Sequence, residues 1–114
     1  VEGSSHDLFK EQIVTAKEGD TQLTLKELAP VRLLKNKFYK DVQNAYASGA
    51  TIEDLKNLLG RARAKRGMFE GELNEGELEI GQVSGLINEI KPAATIVKNL
   101  MTEFDEGIEE VKSF

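Results

Sequence analysis

Few side chains in this sequence are able to do chemistry. His6 is the only imidazole and there is no cysteine, so nucleophilic thiol chemistry, thiolate metal sites and disulfides are excluded. A metal site around His6 would need carboxylates placed about it, and the adjacent Asp7 points elsewhere on a helix. His6 therefore reads as a cap or surface residue at a helix start. Glu70, Glu72, Glu75, Glu77 and Glu79 suggest a calcium loop. An EF-hand, however, needs oxygen donors at fixed positions, mostly Asp or Asn, around one central glycine. Glutamates dominate here at the wrong spacing, and no metal is expected. In the basic run from Gly60 to Arg66, helical spacing puts Arg61 and Lys65 on one face and Arg63 and Arg66 on another. That is no coherent nucleic-acid reader. A solvated helix is the favoured reading, and a phosphate contact, on a cofactor or carrier protein, is the alternative.

The remaining stretch is Ile80-Gly-Gln-Val-Ser-Gly-Leu-Ile87. A glycine ahead of a helix lets backbone approach a bound molecule closely. The helix start offers free N–H groups and partial positive charge. Gln82 adds a neutral donor and acceptor, and Ser84 a hydroxyl. The spacing is no phosphate fingerprint, so the residues alone favour an ordinary entry from loop to helix.

The elements that must position these residues are mostly helical. Ser4-Ser-His-Asp7 starts a helix with Leu8, Phe9, Ile13 and Ala16 on one stripe, ended near Gly19. Thr21 to Leu25 alternates like a short strand. Beyond Pro30, Val31 to Tyr46 reads as one amphipathic helix carrying Leu34, Phe38 and Val42. Thr51-Ile-Glu-Asp54 is a capping box for a short helix bearing Leu55, Leu58 and Leu59, and the basic run is expected to add one or two helical turns. Val83 to Ile90 reads as another short helix. Pro92 then opens a final one, striped by Ile96, Val97, Leu100, Met101, Phe104, Ile108 and Val111. That apolar face needs a partner surface, which the preceding short helices are too small to supply. The fold class is thus mainly α, with at most a short strand.

Bulk properties set the outer limits. With 114 residues, one modest core is expected. A net charge of −5 and the absence of tryptophan argue against nucleic acid and anionic membrane as partners. No apolar run has the length of a membrane span, and nothing at the start reads as a signal peptide, so a cytoplasmic location is expected. A start at Val1 rather than Met is what a processed chain, or a piece of a longer protein, would show.

The stretch Met68-Phe-Glu-Gly-Glu-Leu-Asn-Glu-Gly-Glu-Leu-Glu-Ile-Gly-Gln-Val-Ser-Gly-Leu-Ile87 resembles the C-terminal part of the nitronate monooxygenase family, once called 2-nitropropane dioxygenases. Flavin-dependent enoyl-acyl-carrier-protein reductase II enzymes are close relatives. Glu2 to His6 before Phe9-Lys10, Gly19-Asp-Thr21, Pro30-Val-Arg32 and Lys35-Asn36 extend the likeness, in order, over nearly the whole chain. The resemblance implies a fragment of a flavin-binding TIM-barrel enzyme. Residues 1–79 would be an inserted, substrate-side helical domain. Residues 80–91 would be the return loop and short helix near the flavin, and residues 92–114 the last outer helix of the barrel. It implies FMN as cofactor of the complete protein, with Gly81 and Gln82 beside the cofactor and Ser84 and Arg32 toward the substrate. The catalytic residues and the flavin-phosphate loops would lie in the part not included here, so no catalytic residue is assigned and the chain alone is expected neither to hold FMN nor to turn over substrate.

The implied partners are the barrel portion of the same enzyme, a small-molecule substrate, and NAD(P)H or an acyl carrier protein; a homo-oligomer remains open. The leading expectation is oxidation of alkyl nitronates with oxygen. The alternative is NAD(P)H-dependent reduction of an enoyl thioester in fatty-acid synthesis. A reading of another class is a stand-alone helical interaction module, whose last helix docks into a partner groove.

Overall fold

Regular structure begins at His6, whose Nδ1 accepts from the Leu8 amide at 3.1 Å and caps α1, Asp7–Thr15. The computed structural model describes residues 1–113. After α1, Gly19 takes a positive φ of 87° and turns the chain into β1, Thr21–Thr24. β1 pairs antiparallel with β2, Val31–Leu34, in a register that sets Thr21 against Leu34 and Thr24 against Val31. α2 (Lys37–Ala47) and α3 (Ile52–Leu59) follow. A π turn spans Lys65–Phe69, a 3-10 turn spans Gln82–Leu86, and α4 runs from Ala93 to Lys112.

The small sheet organises two clusters, because successive side chains of a strand point to opposite faces. Leu33 joins Leu25, Phe38, Val42 and Leu55 in one cluster. Its neighbour Leu34 joins Phe9, Ala16 and Leu78 in the other. The glycine-acid stretch lies along the edge of β2: the Leu34 amide donates to the Leu78 carbonyl, and the Ile80 amide to the Arg32 carbonyl, both at 3.0 Å. Its backbone is thereby part of the sheet edge rather than a free loop.

The expectation of a mainly α chain holds, with a two-stranded hairpin where one short strand was expected. Two local expectations are corrected. Val31 to Tyr46 is not one helix. Asn36 caps α2 by accepting from the Tyr39 amide at 3.0 Å, and the residues before it pair with β1 instead. β-branched Val31 and the two leucines suit a half-buried strand as well as a helix face, and pairing decides between them. Val83 to Ile90 is not a helix either: only the five-residue 3-10 turn forms, and Ile87 is already extended. Pro92 restricts the residue before it to extended backbone, so the segment cannot run helically into α4. The basic run adds the expected helical turns over residues 63–69, mostly as the π turn, after Ala62 at a positive φ of 59°. The capping box at Thr51 and Asp54 is present as expected.

α4 differs from the other helices. It buries no residue, and it makes no substantial packing contact with another named element among the described residues. Its stripe stands in the open, from Ile108 at 39% exposure to Val111 at 69%, with Phe104 at 60%. Its start is held by the opposite end of the chain: the Glu2 carboxylate accepts from the Ala93 amide at 2.6 Å, and the Val1 nitrogen donates to the Lys91 carbonyl at 2.8 Å. Among the described residues no helix is long and apolar enough to cross a membrane.

Candidate functional site

Of the residues singled out in the 80–87 stretch, Gln82 lines a cleft of about 470 Å³, while Gly81 and Ser84 do not. It is lined by Glu18, Gly19 and Thr21 on one side and by Gln82, Val83, Gly85 and Leu86 on the other. Its two walls are held together by close backbone approach. A Cβ on Gly85 would lie 3.0 Å from the Glu18 nitrogen and 3.1 Å from the Lys17 carbonyl carbon, so the 3-10 turn lies directly on the loop leaving α1. Gly81 behaves differently: its φ of −83° suits any residue, and an added Cβ would meet nothing within 4 Å. Its openness is toward the outside of the chain.

Gln82 is exposed at the cleft, and no described residue hydrogen-bonds its carboxamide. Ser84 turns the other way. It is 1% exposed, and its Oγ has no hydrogen-bond partner among the described residues. Arg32 does not reach out toward an anion. Its guanidinium donates to the Thr21 carbonyl at 3.3 Å and the Thr21 hydroxyl at 3.2 Å, while its own carbonyl accepts from Ile80. Arg32 thus fixes the Thr21 wall of the cleft and ties it to the residue before Gly81. The cleft unites Gln82 with Thr21 and, through Thr21, with Arg32; Ser84 lies behind it. Val83, Leu86, Ile87 and Ile90 are exposed, and Leu86 shares a second surface hollow with Ile96 of α4. One apolar surface therefore runs from the cleft toward the α4 stripe.

The charged groups flagged by sequence have mostly local partners. Glu72 accepts from the Asn74 and Glu75 amides, Glu70 pairs with Lys65 at 3.7 Å, and Glu75 pairs with Lys37 at 2.6 Å. That pairing holds the Glu75 carboxyl below the usual carboxylate range and raises the Lys37 ammonium. Glu77 is buried, and burial pushes its carboxyl up to about 6, with the charge and hydrogen bond of Glu79 adding to the rise and Arg63 opposing it. Arg63 lies 4.5 Å above the Phe38 ring and donates to the Leu59 and Glu75 carbonyls, both at 2.7 Å, so it is a structural clamp. His6 caps α1, donates its amide to the Met68 carbonyl at 2.7 Å, and lays its ring against Gly71.

Sequence reasoning missed Thr21 as a cleft wall and Asn36 as a joint. Asn36 Nδ2 donates to the Leu73 and Gly76 carbonyls at 2.8 and 2.7 Å, locking the glycine-acid stretch to the start of α2. An Asn ahead of an apolar helical stripe was an available cap signal. The role of Thr21 had no signal, since it depends on the arginine opposite.

No protein-family pattern and no curated protein matches the chain. Solved structures do. The chain is similar to FabK from Thermotoga maritima, with 32% identity and a TM-score of 0.85 over 99% of this chain and 36% of that one. A point mutant of the same protein matches with 31% identity and a TM-score of 0.80, again over 99% of this chain and 33% of that one. This mainly α chain therefore matches, along almost its whole length, a fragment amounting to about a third of the FabK structures.

Proposed function

We propose that these residues are the C-terminal part of an FMN-dependent enoyl-thioester reductase of the FabK kind, within the wider nitronate monooxygenase family. The likeness to FabK over 99% of the chain carries this reading. FabK is an enoyl-acyl-carrier-protein reductase of the second type and is flavin-dependent. Enoyl reduction thereby displaces nitronate oxidation as the leading activity, since no observation favours the latter specifically. In this reading residues 1–79 form the inserted helical domain, 80–91 the return toward the flavin and 92–114 the last helix on the barrel. Two observations support the division: Glu2 meets Ala93, bringing the start of the insert beside the start of α4, and the α4 stripe lacks a surface to cover it.

The residues present fit one polar edge of a flavin or thioester. Gly81 leaves room for close approach, and the free Gln82 carboxamide can both donate and accept. They do not fit a phosphate site, because the 3-10 turn is only five residues long and no cation lines the cleft. The phosphate must be held by the barrel. FMN, when bound, supplies the hydride relay between nicotinamide and enoyl thioester. Around it, Gln82 orients the bound group, Arg32 holds Thr21 as the facing wall, and Val83 and Leu86 exclude water from the cleft. Clefts between domains are common binding places, and this one lies where the helical domain would meet the barrel.

The test uses the complete flavoprotein that carries these residues. Crotonyl-thioester-dependent oxidation of NAD(P)H is expected. Nitrite release from an alkyl nitronate, without thioester reduction, would replace this reading with the nitronate one. The 114-residue chain alone is expected to leave FMN fluorescence unchanged; tight stoichiometric binding would overturn the fragment assignment.

A further inference from the structure

Thr21 opens β1 and brings a hydroxyl to the cleft beside the 3-10 turn. The hairpin register sets Arg32 against Leu23, so the arginine is the diagonal neighbour of Thr21 on the same sheet face. Thr21 is 8% exposed, and its Oγ1 accepts from the Arg32 guanidinium at 3.2 Å. That contact occupies a lone pair and turns the hydroxyl proton away from the arginine. Among the described residues nothing accepts that proton. Both side-chain bonds of Arg32 go to Thr21, and no carboxylate pairs with it. Its charge therefore polarises this hydroxyl into a stronger donor.

The rest of the cleft indicates what would accept the proton. Glu18 is the only charged residue lining it, and a carboxylate there disfavours a phosphate or carboxylate ligand. Val83 and Leu86, both exposed, supply apolar surface. A neutral acceptor on an apolar chain suits such a lining, and an acyl group carries both. We infer that the Thr21 hydroxyl donates to the carbonyl oxygen of the bound acyl thioester, with Arg32 as its positioning residue. The inference rests on the function proposed above and adds to it a residue that touches the substrate. The close approach of Gly85 to the Glu18 backbone sets the distance between the wall bearing Thr21 and the 3-10 turn.

The complete flavoprotein tests this through Thr21→Val, which keeps the shape and removes the hydroxyl. Calorimetry measures the dissociation constants of two ligands. Butyryl-pantetheine has the thioester carbonyl but no double bond to reduce; S-butyl-pantetheine lacks that carbonyl. Thr21→Val is expected to weaken the first roughly tenfold and the second by less than about twofold. Thr21→Ser, which keeps the hydroxyl, should stay within about threefold of the unsubstituted protein. Arg32→Met should weaken the thioester alone, by about threefold, and Arg32→Lys should restore it. FMN content and circular dichroism report folding, and Thr21→Ala replaces Thr21→Val if that misfolds. An unchanged thioester constant overturns the inference. So does an equal loss for thioester and thioether, which would mark lost packing. Weaker FMN binding by fluorescence titration, with the thioester constant unchanged, would put the hydroxyl on a flavin carbonyl and overturn it likewise. If the unsubstituted flavoprotein binds neither ligand and reduces no enoyl thioester, the proposed function itself fails, and this assignment with it.

Discussion

α2 and α4 are both amphipathic, yet they end in opposite situations. The eleven residues of α2 bury Phe38 and Val42 completely, while the twenty of α4 bury nothing. An apolar stripe states that a helix wants a partner; it does not state where the partner is. For α2 the partner is the hairpin and α3, present in this chain. For α4 nothing among the described residues plays that part, which is what an outer helix separated from its barrel would show.

Substitution at matched positions gives the sharpest test of that contrast. Phe38→Ala should destabilise the chain by about 3–5 kcal/mol, measured by urea denaturation, because a fully buried ring is removed from a packed cluster. Phe104→Ala, at a ring 60% exposed, should cost less than about 0.5 kcal/mol. Amides of α4 should also exchange well before those of α2. In the complete protein the two alanine variants should become comparable. Equal costs in the isolated chain would mean that α4 is already packed.

The glycine pair 67 and 76 ranks next and probes the self-sufficient region. A Cβ on Gly76 would collide with the Gly67 Cα and the Glu72 carbonyl oxygen, and would lie 2.7 Å from the Gly67 nitrogen. These are backbone atoms that cannot rotate aside, so Gly76→Ala should cost about 3 kcal/mol. Gly81→Ala, with open space around it, should leave stability unchanged. A Gly76→Ala melting temperature equal to that of the parent chain would show that the two segments are not in contact.

Those two glycines also show how far sequence reading reaches. The caps at His6 and Thr51, the α4 stripe and the helical bias were legible because they depend on neighbours within a few residues. The Val31–Leu34 strand was not, since Leu33 and Leu34 suit either period, and only pairing with Thr21–Thr24 decides. At the cleft, Gly81 and Gln82 were singled out by the resemblance; Gln82 lines it and Gly81 precedes its 3-10 turn. The behaviour of Arg32 and Ser84 was not, because each depends on what faces it: Thr21 for the arginine, burial for the serine.

Asn36 joins the two clusters of the compact region, and its loss should cost less than the core changes. Asn36→Ala removes the cap on Tyr39 and the bonds to Leu73 and Gly76, for about 2 kcal/mol. Asn36→Ser keeps a capping oxygen but loses the two donors, so it should fall between the alanine variant and the parent. If both variants denature with the parent, the glycine-acid stretch is held without Asn36.

The smallest effect expected comes from Glu77, a buried acid in the compact region. Burial beside Glu79 raises its carboxyl from 4.5 to about 6, so the folded state holds this proton more tightly than the unfolded one. Its favourable contribution is complete below the unfolded value and is lost as pH climbs through the folded one. Between roughly pH 4.5 and 7 the chain should therefore lose about 1–2 kcal/mol through this group, against any gain from carboxylates such as Glu75 whose values are lowered. Glu77→Gln keeps the neutral shape. Its urea midpoint should match the parent near pH 4.5 and exceed it at about pH 7.5, by an amount equivalent to that loss. An equal gain at both pH values would trace the effect to packing rather than to the proton. Phe104→Ala, on a helix that this carboxyl does not touch, should show no such pH dependence.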